Sequence, residues 1–160
     1  MFEGGIRVPF LMKWPKRIPQ GTVFESPVSA LDIFPTAYVA AGGVPRENMN
    51  LDGVDLLPYL ESSKKSLPHE NLFWRAGSIW AVREDNWKLI FAAETYWLYD
   101  LEQDLGEANN LADQHPDIVH KLQKLYDHWN RANIAPIWPP FGAKSNPTFF
   151  VDDIEVIWTF

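Results

Sequence analysis

The stretch from Leu72 to Leu101 limits the possible folds of this chain most. It contains four short runs rich in aromatic and β-branched residues, and the polar segments 84–86 and 93–95 separate the last three of them. Short runs of this kind that alternate with turns are typical of neighbouring antiparallel strands. We therefore predict a meander of about four strands, formed by Leu72–Trp74, Ile79–Arg83, Trp87–Ala92 and Tyr96–Leu101.

Side chains alternate between the two faces of a strand, so the third run also predicts what each face carries. Trp87, Leu89 and Phe91 are expected on one face, and Lys88 and Ile90 on the other.

The segment that follows has the periodicity of an amphipathic helix. Pro116 and Asp117 are suited to a helix start, and apolar residues then recur every three or four positions. We predict a helix from Asp117 to Arg131 that packs on the sheet through Ile118, Leu122, Leu125, Tyr126 and Trp129.

The apolar pattern of the first 43 residues predicts one strand and one helix. Ile6–Trp14 is a nearly continuous apolar run, which favours a strand covered on both faces with Pro9 at an edge or a bulge. Apolar residues then fall at helical spacing, with Asp32 as the expected cap, Pro35 in the first turn and Gly42–Gly43 as the end. These apolar residues are Leu31, Phe34, Tyr38 and Val39.

The chain divides into four predicted segments of an α+β protein. Residues 1–43 hold the N-terminal strand and helix, 44–68 form a linker with one short helical turn, and 69–134 form the antiparallel sheet and its helix. Residues 135–160 are a tail rich in Pro and aromatic residues, with a last strand expected around Ile154–Trp158. As a hypothesis, this tail covers apolar surface that a further portion of a larger protein would otherwise cover.

Composition excludes several classes of function. The net charge is −7 and the pI about 5.0, which argues against a nucleic-acid-binding protein because such proteins need a basic face. No apolar run approaches the length of a membrane span, and no secretory signal opens the chain, so as given it is expected to be cytoplasmic. There are no cysteines, which excludes disulfides, thiolate metal sites and thiol nucleophiles.

Four segments, in this order and with these gaps, resemble the C-terminal part of the formylglycine-dependent sulfatases, the arylsulfatase family of the alkaline phosphatase superfamily. The resemblance covers roughly the first 130 residues. The segments are Glu3–Pro9 with Trp14-Pro15; Ser29–Thr36 ending at Ala41-Gly42; Ala81–Arg83 with Trp87–Ile90; and Leu98–Leu101 with Asp104 and Asn110–Ala112.

The resemblance implies that residues 1–43 derive from the large α/β domain of a sulfatase and that 69–134 form its C-terminal subdomain. It also implies hydrolysis of sulfate esters by a formylglycine made from Cys or Ser in a Cys/Ser-x-Pro-x-Arg motif, together with a calcium ion. Those groups, and a lysine that contacts the sulfate, belong to the part that precedes the Glu-Gly-Gly segment, here called the front portion. We therefore expect calcium only in a complete sulfatase.

Within this chain the nucleophile motif has no match. The Ser-x-Pro at Ser145-Asn146-Pro147 has Phe149 in place of the arginine, and we interpret it as a turn. The sequence therefore predicts no catalytic, cofactor-binding or metal-binding residue, and an isolated chain that resembles a sulfatase without hydrolysing sulfate esters.

Other residues with chemical potential have simpler structural explanations. Asp152-Asp153 and Glu84-Asp85-Asn86 could offer oxygens to a metal, but both are expected to be turns. A helix stripe contains His120, Lys124 and His128. The lysine between the two histidines would repel a zinc ion, so no zinc site is expected, and the stripe should face water. Neither His69 nor His115 has a nearby nucleophile in sequence.

The remaining singled-out residues are expected to be structural. Five tryptophans could stack on a sugar, but their spacing favours a place in the core: Trp74, Trp80, Trp87, Trp97 and Trp129. Glu3, Gly4, Gly5 and Arg7 should organise a turn, with the glycines allowing close backbone approach. Asn110 should bond local backbone before the helix.

Two alternatives to an inactive sulfatase-like domain stay open. The chain could be an interaction or oligomerisation module, or it could complement a separately encoded front portion to rebuild an enzyme. The expected partners are thus another copy of the chain or a sulfatase front portion, with no nucleic acid and no membrane. Members of the family are often exported.

Overall fold

A computed structural model describes residues 1–61, 64–135 and 148–157. The chain groups into two compact units, which we treat separately. The sheet unit comprises Met1–Val8 and Asn71–Phe160, and the helical unit comprises Pro9–Glu70. Together their elements make an α+β protein, as predicted.

The sheet unit is built on the predicted four-stranded meander. Its strands pair in chain order and antiparallel: β1 Asn71–Ala76, β2 Ile79–Glu84, β3 Trp87–Ala92 and β4 Thr95–Asp100. The strands are joined by tight turns in which Gly77, Asp85, Ala93 and Glu94 have positive φ, the conformation that two-residue hairpin turns require. Asp85-Asn86 therefore form the predicted turn, while Glu84 is the last residue of β2.

One face of this sheet is covered by α4, the fourth α-helix in chain order among the described residues. It spans Pro116–Asn130 and is amphipathic as predicted. Leu122 and Tyr126 are buried against Trp80, Val82 and Leu89. The predicted alternation is also confirmed, since Trp87 and Phe91 pack in this same cluster.

The other face carries a second apolar cluster. It includes Ile79, Ile90, Trp97 and Tyr99, against which Met1 and Phe2 pack. A hairpin also packs here through Val151 and the fully buried Val156; its strands are β5 Thr148–Val151 and β6 Ile154–Ile157. The expected last strand is thus present as half of a hairpin that covers apolar surface.

The loop of that hairpin is Asp152-Asp153, with φ of 48° and 63°. Both residues are exposed, which confirms the predicted turn. Ser145-Asn146-Pro147 and Trp158 lie outside the described residues.

The N-terminal part of the chain is irregular where a strand was predicted. Met1–Val8 contains only the single helical turn α1, Glu3–Ile6, and no strand covers the predicted range Ile6–Trp14. A strand needs a neighbour with which to exchange backbone hydrogen bonds, and neither described sheet supplies one to this segment. Phe10 and Leu11 are accordingly exposed.

The predicted helix over residues 31–41 is present with a different cap. A 3₁₀ turn, Ala30–Asp32, leads into α2, Ile33–Ala40, which ends at Gly42 with φ of 87°. Ser29 is the capping residue, because its hydroxyl accepts from the Leu31 N–H while the Asp32 carboxylate accepts from the Ser29 N–H. Asp32 was predicted as the cap, but it closes the capping box from within the first turn.

The segment predicted as a linker contains regular structure. It holds a 3₁₀ turn, Glu47–Met49, and a helical turn, α3, Leu57–Leu60, as the short apolar pattern there predicted. Leu56, Leu57 and Tyr59 are buried. Among the helices described, none has both the length and the apolar character needed to cross a membrane.

Candidate functional site

A buried charged cluster centres on Lys88 of β3. The Lys88 side chain is inaccessible to solvent, and its Nζ lies 2.8 Å from Glu3 Oε1 and 2.8 Å from Glu107 Oε1. Nζ donates a hydrogen bond to Glu3, whereas its contact with Glu107 is an ion pair without hydrogen-bond alignment. The ring of Trp74 lies 5.9 Å from the same nitrogen, within range of a cation–π contact.

The two carboxylates connect distant parts of the chain. Glu107 Oε2 accepts a hydrogen bond of 2.5 Å from the backbone N–H of Glu3, at the start of α1. Glu107 itself has a positive φ of 55°, in the loop after β4. The cluster therefore fastens the α1 turn to the sheet and to this loop.

Two arginines flank the cluster. Arg83 of β2 stands directly opposite Lys88 in the sheet, and its Nε donates to the backbone carbonyl of Asp85 at 2.9 Å. Arg7 Nη1 lies 3.6 Å from Glu3 Oε2. Burial lowers the pKa of Arg83; the charge of Glu3 acts against this and that of Arg7 adds to it.

Tyr99 of β4 stands opposite Lys88 on the other side. Its hydroxyl is buried and has no hydrogen-bond partner among the described residues. Burial raises the pKa of Tyr99 strongly, and the negative charges of Asp152, Glu107 and Asp104 raise it further. Lys88, Arg83 and Tyr99 thus form one row across the sheet.

A second polar cluster lies within the helical unit. Asp32 is fully buried, and its carboxylate accepts from the backbone N–H of Ser29 at 2.7 Å and of Val54 at 2.8 Å. His69 Nε2 lies 2.9 Å from both carboxylate oxygens. Thr36 supports the same region by accepting from the Leu56 N–H at 2.9 Å.

The Asp32–His69 pair was missed by sequence analysis. The two residues are 37 positions apart, and no local pattern links them. Among the described residues no serine is bonded to His69, so the pair lacks the nucleophile of a hydrolytic triad. Its hydrogen bonds instead tie the start of α2 to residues 54 and 69.

We tested whether these carboxylates fit the calcium ion that the resemblance implies. Calcium takes six to eight oxygens, at roughly 2.3–2.6 Å. Glu3 and Glu107 converge on an ammonium group, and Asp32 is saturated by N–H donors and a histidine, so neither set fits. Within the described ranges no three His, Asp or Glu side chains are grouped to hold a metal ion.

The predicted exposure of the α4 stripe and the predicted backbone bonds of Asn110 are both present. His120, Lys124 and His128 are all exposed on α4. His115 lies beside the Trp87 ring, with ring centres 5.2 Å apart. Asn110 bonds backbone through its Oδ1, which accepts from Leu98 and Ala112, while its Nδ2 donates to the Tyr96 carbonyl.

The tryptophans belong to the core, as expected. Trp74 and Trp97 pack in one apolar cluster, and Trp80, Trp87 and Trp129 pack in the other. The face of Trp80 is stacked on Tyr126 at 3.9 Å, which leaves it unavailable to a sugar.

The glycine pair does not have its expected role among the described residues. A Cβ at Gly4 or Gly5 would meet no atom within 4 Å, so no close backbone approach is present there.

Comparison with known proteins identifies relatives over most of the chain. Residues 1–131 match the family model described as N-sulphoglucosamine sulphohydrolase, C-terminal. Human steryl-sulfatase is 44% identical over 72 residues, covering 45% of this chain and 12% of that protein. Human arylsulfatase A is 33% identical over 157 residues, covering 78% of this chain and 30% of that protein.

Solved structures agree with the sequence matches. The crystal structure of Ps i-CgsB is similar with a TM-score of 0.68 and 30% identity, over 78% of this chain and 29% of that one. The chain spans less than a third of the length of these two curated relatives.

Proposed function

Since this chain belongs to the sulfatase family, in which it corresponds to the C-terminal portion, we propose that it is the domain against which a sulfatase front portion packs, and that it does not hydrolyse sulfate esters by itself. The observation that carries this proposal is a set of large apolar side chains left in solvent around the start of α2. Leu31, Ile33 and Phe34 are 59%, 52% and 56% exposed.

Exposed apolar side chains that adjoin one another favour an interaction surface. These three residues lie within four positions at the start of α2, and Phe34 stacks on Tyr38 with ring centres 6.0 Å apart; we call this exposed apolar group the α2 surface. Burying each such side chain fully is worth about 1.5–3 kcal/mol. The small share of its relatives' length that the chain spans is consistent with a partner of sulfatase type.

The absence of hydrolysis is supported by the state of the candidate groups. The chain has no cysteine, and both carboxylates of the Lys88 cluster are paired with that lysine. In the mechanism that the family resemblance implies, a formylglycine nucleophile and calcium carry the reaction. The role we propose for the present residues is to hold the α1 turn and present the α2 surface.

The first test is enzymatic. Purified chain, incubated with an aryl sulfate and calcium, should show no turnover above buffer. Turnover that scales with the concentration of the chain would contradict the proposal.

The second test is binding. A tagged sulfatase front portion that ends just before the Glu-Gly-Gly segment is co-expressed with this chain, and co-purification is measured. The double variant Ile33→Glu/Phe34→Glu should abolish co-purification, because it places two charges on the α2 surface.

A matched control adds the same two charges at exposed polar positions of the helical unit, Gln20→Glu/Asn48→Glu. This control should co-purify as the original chain does. Equal retention of the front portion by both double variants would show that the α2 surface is not the contact. Sulfatase activity of the co-purified pair, absent from each part alone, would support the complementation alternative.

A further inference from the structure

A cationic surface remains beside the Lys88 cluster. In the sheet, Arg83 and Lys88 are cross-strand partners and their side chains share one face. Like charges directly opposite each other in a sheet are destabilising unless other groups compensate them. The compensation present is centred on Lys88.

The available negative charges do not neutralise the whole group. Glu3 and Glu107 both lie 2.8 Å from Lys88, and Glu3 also lies 3.6 Å from Arg7. Three cationic side chains therefore share two carboxylates. The nearby Glu84 is engaged with Lys121, and no carboxylate among the described residues forms an ion pair with Arg83.

The uncompensated charge has free hydrogen-bond donors. Arg83 uses only its Nε, on a neutral carbonyl, which leaves both terminal nitrogens without an acceptor in the described part of the chain. Arg7 is about half exposed, and its contact with Glu3 is longer than a hydrogen bond. Arg7 contacts Glu3, Glu3 contacts Lys88, and Lys88 lies opposite Arg83 in the sheet. The two guanidinium groups are therefore on the same side of the sheet.

We propose that Arg7 and Arg83 form a binding site for a tetrahedral oxyanion, with sulfate as the ion that tests it. Guanidinium groups present paired N–H donors that match two oxygens of such an anion. A dianion would also compensate the positive charge that the three cationic side chains carry in excess of the two carboxylates.

The experiment uses the complete chain and inorganic sulfate. Sulfate is titrated while sodium chloride holds the ionic strength constant, and binding is followed by NMR at the Arg83 Nε–H. Saturable shifts are expected with sulfate and not with chloride. Arg83→Gln and Arg7→Gln should each weaken binding about tenfold, as expected for loss of a charge-assisted hydrogen bond; for Arg83→Gln, backbone N–H shifts in β2 and β3 replace the lost probe.

Two further variants separate binding from folding and from general charge. Arg131→Gln removes a positive charge at the end of α4 and should leave sulfate binding unchanged. Arg83→Lys keeps the charge without the paired donors and should bind sulfate more weakly than the original chain but more strongly than Arg83→Gln. Thermal unfolding confirms that each variant is folded.

Equal sulfate affinity in the original chain, Arg7→Gln and Arg83→Gln would overturn the site, as would shifts that chloride reproduces. These measurements need no front portion. Their failure would therefore leave the proposed role of the α2 surface unaffected, and failure of co-purification would leave the anion site unaffected.

Discussion

At the scale of single residues, the buried charge of Lys88 is stable only because of the groups that surround it. An ammonium group without access to water is costly unless opposite charges and hydrogen bonds surround it. Glu3 and Glu107 supply those charges from positions 85 and 19 residues away in the chain, so the ion pairs also close two long loops. Removing the lysine would leave two buried carboxylates facing each other.

We therefore predict that Lys88→Met lowers the free energy of unfolding by about 3–5 kcal/mol, the cost of breaking a buried ion pair on one side. Urea unfolding followed by tryptophan fluorescence measures this loss. Lys121→Met is the matched control, because the Lys121 side chain is 62% exposed in its pair with Glu84. It should cost less than about 1 kcal/mol. Similar losses in the two variants would contradict a stabilising role for the cluster.

The raised pKa of Tyr99 predicts how the stability of the fold depends on pH. Its raised pKa, caused first by burial, means that the unfolded chain releases the phenolic proton before the folded chain does. Stability should therefore fall as the pH rises above the ordinary tyrosine pKa of about 10. Tyr99→Phe should show a shallower fall between pH 9 and 11.

Below pH 9 the same substitution should change stability little, because the Tyr99 hydroxyl has no partner to lose among the described residues. Urea unfolding at a series of pH values gives both results. An unchanged alkaline slope, or a large loss at pH 7, would show that the hydroxyl is bonded or solvated.

At the scale of elements, local sequence patterns predicted a strand or helix correctly where it packs against elements that are its neighbours in sequence. The meander could be predicted because each strand pairs with the next strand in the chain. Helix α4 could be predicted because its apolar stripe, from Ile118 to Trp129, packs on the sheet that directly precedes it in sequence. The run Ile6–Trp14 was predicted wrongly, since its apolar character did not reveal that no described strand lies beside it. The Asp32–His69 pair and the Lys88 cluster were missed because their members are far apart in sequence.

The segment that carries Gly53 illustrates such a long-range constraint and gives a prediction. A Cβ at this position would lie 2.1 Å from the Leu31 carbonyl oxygen and 2.8 Å from the Asp32 nitrogen, which are backbone atoms at the start of α2. Gly53→Ala should therefore force the two segments apart and cost about 1–3 kcal/mol or more.

Chemical denaturation of Gly53→Ala tests this expectation, with Gly106→Ala as the control. At Gly106 the nearest atom to an added Cβ is 3.8 Å away, so the change in stability should stay within about 0.5 kcal/mol. If Gly53→Ala is equally mild, the close approach of residue 53 to α2 is not required for stability.

At the scale of the whole molecule, the two units differ in how completely they bury their apolar residues. The sheet unit encloses Leu98, Leu122 and Val156, whereas the helical unit leaves Leu31, Ile33 and Phe34 in water. A chain with an uncovered apolar surface has two ways to remove it from solvent, by binding a front portion or by binding a second copy. Without a front portion only the second remains.

The isolated chain is therefore predicted to self-associate as its concentration rises, driven by the α2 surface. Multi-angle light scattering should show an average mass above that of the 18.4 kDa chain at high concentration. Ile33→Glu/Phe34→Glu should restore a monomer, because the exposed carboxylates would have to be desolvated in any contact. Gln20→Glu/Asn48→Glu adds the same charge elsewhere and should leave association unchanged. Association that survives the first double variant would mean that another surface, such as the exposed edge of a sheet, brings the copies together.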